Sequence, residues 1–496
     1  MASGSESQLY PLNSLSDYNS PFIPCWHRYM ARPSRPLAKD PMVDRSLRHS
    51  LRDGIFFSAM IGTAENYFSA FAVFLRASTA QVAWLAALPP VLAAFSQLGS
   101  AWLGHRLETA RPERPQRRRL IVIGALLQAF VLIPLALLPL ALPTLALPVL
   151  VTCAVVYYIG PNLGSPHWGS LMGDLVPETR RGRYFALRTR LSSLANFSAL
   201  LGAGLTLHAF DALGRTYSGF LVIFFCAAAF RLTSAWHLLQ MHDPAPKAPA
   251  SKKAWGKELK SALRQTSLLR FSLFYATMQA AVALASPFFS LYMLRDLEFS
   301  YLAFMANTAA SMGVQFLTLS RWGRLSDLFG NRLILGTTGL LIPLLPSLWV
   351  LSPNPFYLLF VQAISGLAWA GFTLSATNSV FDLTPPESRR NLMAVHNVLA
   401  ALGVFVGATL GGWLGTVLPS TVSFGDATWP WLSPLYGVFL ISTVARLAVV
   451  FAFLPQLKEL RKVRPMSRSG LIFRVTRIQP LSGMVFEVVG RFRRKP

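Results

Sequence analysis

Twelve long apolar stretches, with positive charge confined to alternate connections, restrict this chain to a multi-pass helical membrane protein. They run roughly over 54–75, 79–103, 120–141, 146–172, 185–208, 217–240, 271–294, 301–320, 333–351, 355–380, 393–417 and 432–454. A hydrocarbon core about 30 Å thick needs about 20 helical residues to cross it, and these stretches suffice. Nearly all of the 46 Lys and Arg fall in the two terminal segments or after the second, fourth, sixth, eighth and tenth stretches. Only Arg76, Arg215 and Arg295 occupy the other connections. Positive residues stay on the cytoplasmic face during insertion, so both termini are expected inside, with the protein in the plasma (inner) membrane.

Composition excludes the competing classes. Hydrophobic residues make up 53%, charged residues 14%, and mean hydropathy is +0.43, too apolar for a chain that must present a wet surface. The net charge of +25 flanks apolar spans instead of forming a basic helix, so no nucleic-acid partner is expected. Cys25, Cys153 and Cys226 lie far apart, which points to neither a disulfide nor a metal site. No apolar signal core precedes the first stretch, so no cleavage is expected. The absence of a Gly-Lys-Ser/Thr phosphate loop argues against ATP-driven work. No catalytic residue and no cofactor are expected; the expected partners are the lipid bilayer, a small-molecule substrate and protons, around a monomer.

The organisation reads as a tail (1–50), a six-span half (51–240), a cytoplasmic linker (241–270) with Pro244, Pro246 and Pro249, a second six-span half (271–455) and a basic tail (456–496). Pro148, Pro161 and Pro166 predict a bent or broken fourth span. The halves look like copies. Asp174-Leu-Val-Pro177-Glu178-Thr-Arg180-Arg181 is echoed by Asp382-Leu-Thr-Pro385-Pro386-Glu387-Ser-Arg389-Arg390, and Arg231-Leu232 by Arg446-Leu447. A repeat of about 210 residues in a twelve-span chain marks a transporter built from two six-helix halves around a midplane site.

Between the eighth and ninth spans stands Gly323-Arg324-Leu325-Ser326-Asp327-Leu328-Phe329-Gly330-Asn331-Arg332. This resembles the Gly-x-Leu-x-Asp-x-x-Gly-x-Arg cytoplasmic loop of the major facilitator superfamily, and the resemblance covers roughly 51–455. It implies an all-α fold of twelve transmembrane helices in two pseudo-symmetric six-helix halves, working by alternating access. It also implies that Asp327 is held against the start of the fifth helix, here Arg180-Arg181-Gly182-Arg183, when the inner gate is shut, with Glu387 and Arg390 in the equivalent connection of the second half. The loop after the second span, Ala101-Trp102-Leu103-Gly104-His105-Arg106, has Ala and His where the motif has Gly and Asp. Arg117-Arg118-Arg119 then reads as an anchor for the third span. Independently of the family, Gly323 and Gly330 permit tight turns and Arg332 can pair with an acid.

Small-residue stripes, Gly403, Gly407, Gly411 and Gly415 in the eleventh span and Ala195, Ala199 and Ala203 in the fifth, offer smooth faces. They suit either sliding crossings between the halves, which the family resemblance places at the second and eleventh and the fifth and eighth helices, or static packing within one half. Polar stripes predict a cavity lining: Ser58, Gly62, Glu65 and Ser69; Tyr158, Asn162, Ser165 and Trp168; Tyr275, Gln279 and Ser286; Asn307, Ser311 and Gln315; Gln362, Ser365 and Trp369. Together they suggest an aromatic and amide site with little fixed charge.

A charged carboxylate at a helix centre costs about 2.5–3.5 kcal/mol on insertion scales, so Glu65 requires a partner, a proton or a wet cavity. Proton coupling, a structural hydrogen bond and contact with a cationic substrate all remain open for it. Arg231 and Arg446, duplicated in peripheral helices, read as structural. The tail beyond 456 suits either a basic amphipathic helix on the inner leaflet or a disordered segment. The sequence thus favours a secondary transporter of a small organic molecule with Glu65 as the proton-coupling candidate. A non-transporting scaffold or assembly factor of the same fold is the alternative.

Overall fold

The computed structural model describes residues 40–110, 116–177, 181–244, 266–384, 389–419, 421–424, 427–430, 433–457, 459 and 470–471. Eleven of its helical segments are long and apolar enough to cross a membrane: Thr79–Gly104, Arg117–Leu137, Pro143–Leu175, Tyr184–Ala212, Thr216–Leu239, Ser267–Asp296, Tyr301–Phe329, Asn331–Leu351, Pro355–Leu383, Leu392–Val417 and Leu435–Gln456. They are the second to twelfth spans. The first is the composite of helix Pro41–Thr63, a 3-10 turn Glu65–Tyr67 and a short helix Phe68–Phe74.

Two departures from the hydropathy pattern position the site. The first helix starts at Pro41, inside what reads as tail, because Asp40 accepts a hydrogen bond from the Met42 backbone N–H at 2.8 Å and Pro41 supplies a preset first-turn φ. Asp53 is thereby carried into the helix and buried. The fourth span, in contrast, is one helix from Ala146 to Leu175 with Pro161 and Pro166 inside it. Neighbouring spans pack on it closely enough to hold the helix through both prolines. The last outer connection contains an antiparallel hairpin, β1 (Thr421–Phe424) and β2 (Ala427–Pro430), which the apolar pattern did not reveal.

Packing repeats between the halves. The second and third spans pack on the fourth, and the first on the fifth and sixth; the eighth and ninth pack on the tenth, and the seventh on the eleventh and twelfth. Lipid tails are as apolar as Leu, so close backbone approach holds such bundles more than apolar burial does. Gly403, Gly407 and Gly411 lie against the backbone carbonyls of Ala276, Ala280 and Leu284, where any Cβ would collide. That is packing of the eleventh span on the seventh inside one half. Gly62 meets Ala199 and the Asn196 carbonyl in the equivalent pair of the first half. Of the predicted sliding stripe only Gly415 turns across the halves, with Gly412 beside it, toward Thr79 and Ala83.

The halves meet through the second and eleventh and the fifth and eighth spans. At the end away from the linker, one apolar cluster contains Tyr67, Phe71 and Ala77 of the first half with Phe288, Tyr292 and Phe304 of the second. Arg295 reinforces it by donating to the Thr79 hydroxyl at 3.3 Å. Toward the linker the clusters divide. Leu47, Ile121, Leu171 and Leu238 form one within the first half, and Phe271, Leu335, Phe372 and Leu392 another within the second.

Candidate functional site

A cavity of about 280 Å³ opens inside the first half, lined by Asp53, Phe57, Ile121, Gly160, Pro161, Gly164, Ser165, Trp168, Arg188, Arg231 and Leu238. Five spans converge on it. Arg188, on the fifth, donates through Nη2 to Asp53 Oδ2 at 3.2 Å and through Nε to the Ser50 carbonyl at 3.3 Å. Its guanidinium also lies 4.5 Å from the centre of the Trp168 ring. Arg231, on the sixth, donates through Nη1 to Ser234 Oγ at 2.7 Å, and that hydroxyl donates to Asp53 Oδ1 at 2.7 Å. The Arg231 guanidinium sits 4.0 Å from Asp53 and 4.6 Å from the centre of the Phe57 ring. Two cations therefore share one carboxylate, which lowers the cost of holding them away from bulk water and leaves the site net positive.

This cavity carries fixed charge, and Arg231 belongs to its wall. Asp53 escaped the polar stripes because hydropathy set the first span to begin at 54, and Arg188 because only small residues were read as a stripe on the fifth span. The Asp40-Pro41 pair was the available signal: a capped helix starting there places Asp53 more than three turns inside. Trp168 and Ser165 line this cavity.

Glu65 sits in the 3-10 turn where the first helix breaks. The Tyr157 hydroxyl donates to its carboxylate at 3.4 Å and the Tyr158 hydroxyl also reaches it. Ser58 is buried on the same span as Glu65. Asn162 turns its amide N–H to its own helix at the Tyr158 carbonyl, 2.8 Å away. Asn307 does the same at the Ala303 carbonyl, 3.1 Å away, and among the described residues its buried Oδ1 and Gln279 Oε1 find no partner. Tyr275 and Trp369 are brought together through Phe372, at ring separations of 6.2 and 5.7 Å, with His396 4.9 Å from Tyr275. Gln315 and Gln362 are half-buried. Ser311 offers its backbone to Gly366, so part of the eighth-span stripe packs against the tenth span.

The gate motif is mostly helix. The eighth span continues to Phe329, so Gly323 lies within it and approaches no neighbour. Gly330 makes the turn, at φ +86, a left-handed conformation that glycine adopts without strain. The backbone N–H of Arg332 donates to Glu459 Oε2 at 2.9 Å. Asp327 is exposed, and Arg181 donates to the Gly173 carbonyl of its own half at 3.0 Å. Arg180 and Glu387 lie outside the described residues, as does the side chain of Arg390. Arg117 is buried and pairs with Asp174 at 2.6 Å and Asp243 at 3.1 Å, so it joins the third and fourth spans to the end of the sixth and is more than an anchor.

Comparison with known proteins bears on this architecture. The model of the Major Facilitator Superfamily matches residues 54–317 and 271–492. A stretch of 180 residues is 31% identical to major facilitator superfamily domain-containing protein 10 of Bos taurus, spanning 36% of this chain and 35% of that relative. Among solved structures, a mutant of the nucleoside transporter NupG superposes with a TM-score of 0.62 at 15% identity, covering 83% of this chain and 100% of that one. A bacterial homologue of the iron transporter ferroportin in an inward-facing state gives 0.59 at 14% identity, covering 83% and 98%. A bacterial homologue of the human lysosomal transporter Spinster, inward-facing and unoccupied, gives 0.55 at 15% identity, covering 89% and 98%.

Proposed function

The chain belongs to the major facilitator superfamily, and on that premise we propose that it is a secondary transporter moving a small organic molecule across the plasma (inner) membrane by alternating access. The observation that carries this reading is the unequal closure of the two ends. One apolar cluster spans both halves away from the linker, whereas the clusters near the linker each stay within one half. Positive charge on the linker face assigns that face to the cytoplasm, so the arrangement is inward-facing. A charged cavity with Ser165 and Trp168 in its wall also favours transport over a scaffold, whose bundle interior can be filled with Phe and Leu. Glu65, hydrogen-bonded to tyrosines at a helix break, is the residue assigned to proton coupling.

The seal offers a direct test. A Cβ built on Gly415 lies 3.8 Å from Thr79 Cβ, the mean separation found in disulfides. In a chain whose Cys25, Cys153 and Cys226 are replaced by Ser, Thr79→Cys with Gly415→Cys should cross-link on oxidation. Uptake into proteoliposomes should stop and return with reductant. Continued transport by the cross-linked protein would rule out alternating access through this end.

A further inference from the structure

Among the described residues, two buried hydrogen-bond donors at the charged cavity have no acceptor. They are Arg231 Nε and Trp168 Nε1, both inaccessible, and Arg231 is only 4% exposed with its other contacts well formed. An unmade bond of this kind is costly, and buried donors in folded proteins are nearly always satisfied. Both residues line the same cavity.

The charges choose the group. Arg188 and Arg231 face the cavity with Asp53 as the one acid in its lining, and Asp53 already receives hydrogen bonds from Arg188 and Ser234. The remaining charge is positive and the vacant hydrogen-bonding groups are N–H donors, which suits an anion with at least two acceptor atoms. Apart from Ser165, the rest of the wall is apolar. We infer that this cavity is a binding subsite for a small organic carboxylate, whose anionic head accepts from Arg231 Nε and Trp168 Nε1 while its apolar body lies along Phe57 and Ile121. Calling that anion a substrate rests on the transport reading above; its binding does not.

Three probes of one shape decide the matter: benzoate, its neutral counterpart benzamide and the cation benzylamine, each titrated into purified protein in detergent. A ligand that binds only the folded state raises the melting temperature in a dose-dependent way. Benzoate should do so and the other two should not. Trp168→Phe removes one donor and keeps an aromatic ring, and Arg231→Lys keeps the charge but removes Nε. Each should bind benzoate about tenfold more weakly, the loss expected for one hydrogen bond to a charged group. Should Arg231→Lys fail to fold, Trp168→Phe decides alone. Benzoate binding no tighter than benzamide, or undiminished in Trp168→Phe, overturns the subsite. If a neutral or cationic compound is carried into proteoliposomes while benzoate neither binds nor moves, the anion site falls and transport stands. If benzoate binds with the stated dependence and no compound crosses, the site stands and transport falls.

Discussion

The two halves share a packing plan and spend their buried charges differently. Arg231 and Arg446 occupy equivalent places in the sixth and twelfth spans. Arg231 faces Asp53 across a cavity. Arg446 donates instead to Ser442 Oγ at 3.0 Å and to the carbonyls of Ile342 and Val282, each at 3.2 Å, and among the described residues no acid meets it. Those carbonyls lie beside interruptions of the ninth and seventh helices. One arginine is therefore available to a ligand, while the other pins broken helices together. At the equivalent connections, Asp174 is held by buried Arg117, and Asp382 receives a hydrogen bond from Asn331 at 3.0 Å. Duplication of a scaffold thus did not duplicate a site; chemistry collects in the first half and mechanical ties in the second.

The largest effect expected from this asymmetry is on coupling. Both the first and seventh spans break at similar depth, after Thr63 and after Ala283, yet only the first break carries an acid, Glu65. Glu65→Gln keeps the size of the side chain and fixes it neutral. It should abolish accumulation driven by an imposed pH gradient in proteoliposomes while the protein remains folded. Accumulation at the wild-type rate would return Glu65 to a structural role.

Next in size is the contrast between the arginines. Arg446→Met removes two charge-assisted bonds to carbonyls, worth about 1.5 kcal/mol each, and should lower unfolding stability by about 3 kcal/mol. Arg231→Lys keeps a cation beside Asp53 and should cost no more than about 1 kcal/mol, with its main effect on ligand binding. Equal losses in denaturant titrations of the two variants would dissolve the proposed division of labour.

The smallest contrast lies at the connections. Asp174→Asn weakens a buried ion pair but leaves Asp243 on Arg117, so a loss of about 2 kcal/mol is expected. Asn331→Ala removes bonds to Asp382 and Ser326 and should cost about 1 kcal/mol. A larger loss for Asn331→Ala would place the stronger clamp in the second half.

Much of this architecture was legible before any coordinates. Span positions follow from apolar runs because the bilayer demands satisfied backbone over a fixed thickness, and the family motif around Gly330 identified the fold. Gly330 also made the turn its residue type predicts. The site was less legible. Gly62 and Ser311, read as part of polar stripes, proved to be packing surfaces. Helical spacing tells which residues share a face but not which neighbour that face meets.

The amino-acid sequence by itself determined the number of spans, the expected orientation, the two-half repeat and the family, all of which depend on composition over windows or on local motifs. Tertiary structure alone decided that Asp53, Trp168, Arg188 and Arg231 share one cavity, that three glycines of the eleventh span bind the seventh, and that Arg446 grips carbonyls where Arg231 meets an acid. The physical reason is distance. Asp53 and Arg231 are far apart along the chain, and nothing in either segment specifies the other; only packing of the first span on the fifth and sixth brings charge to charge.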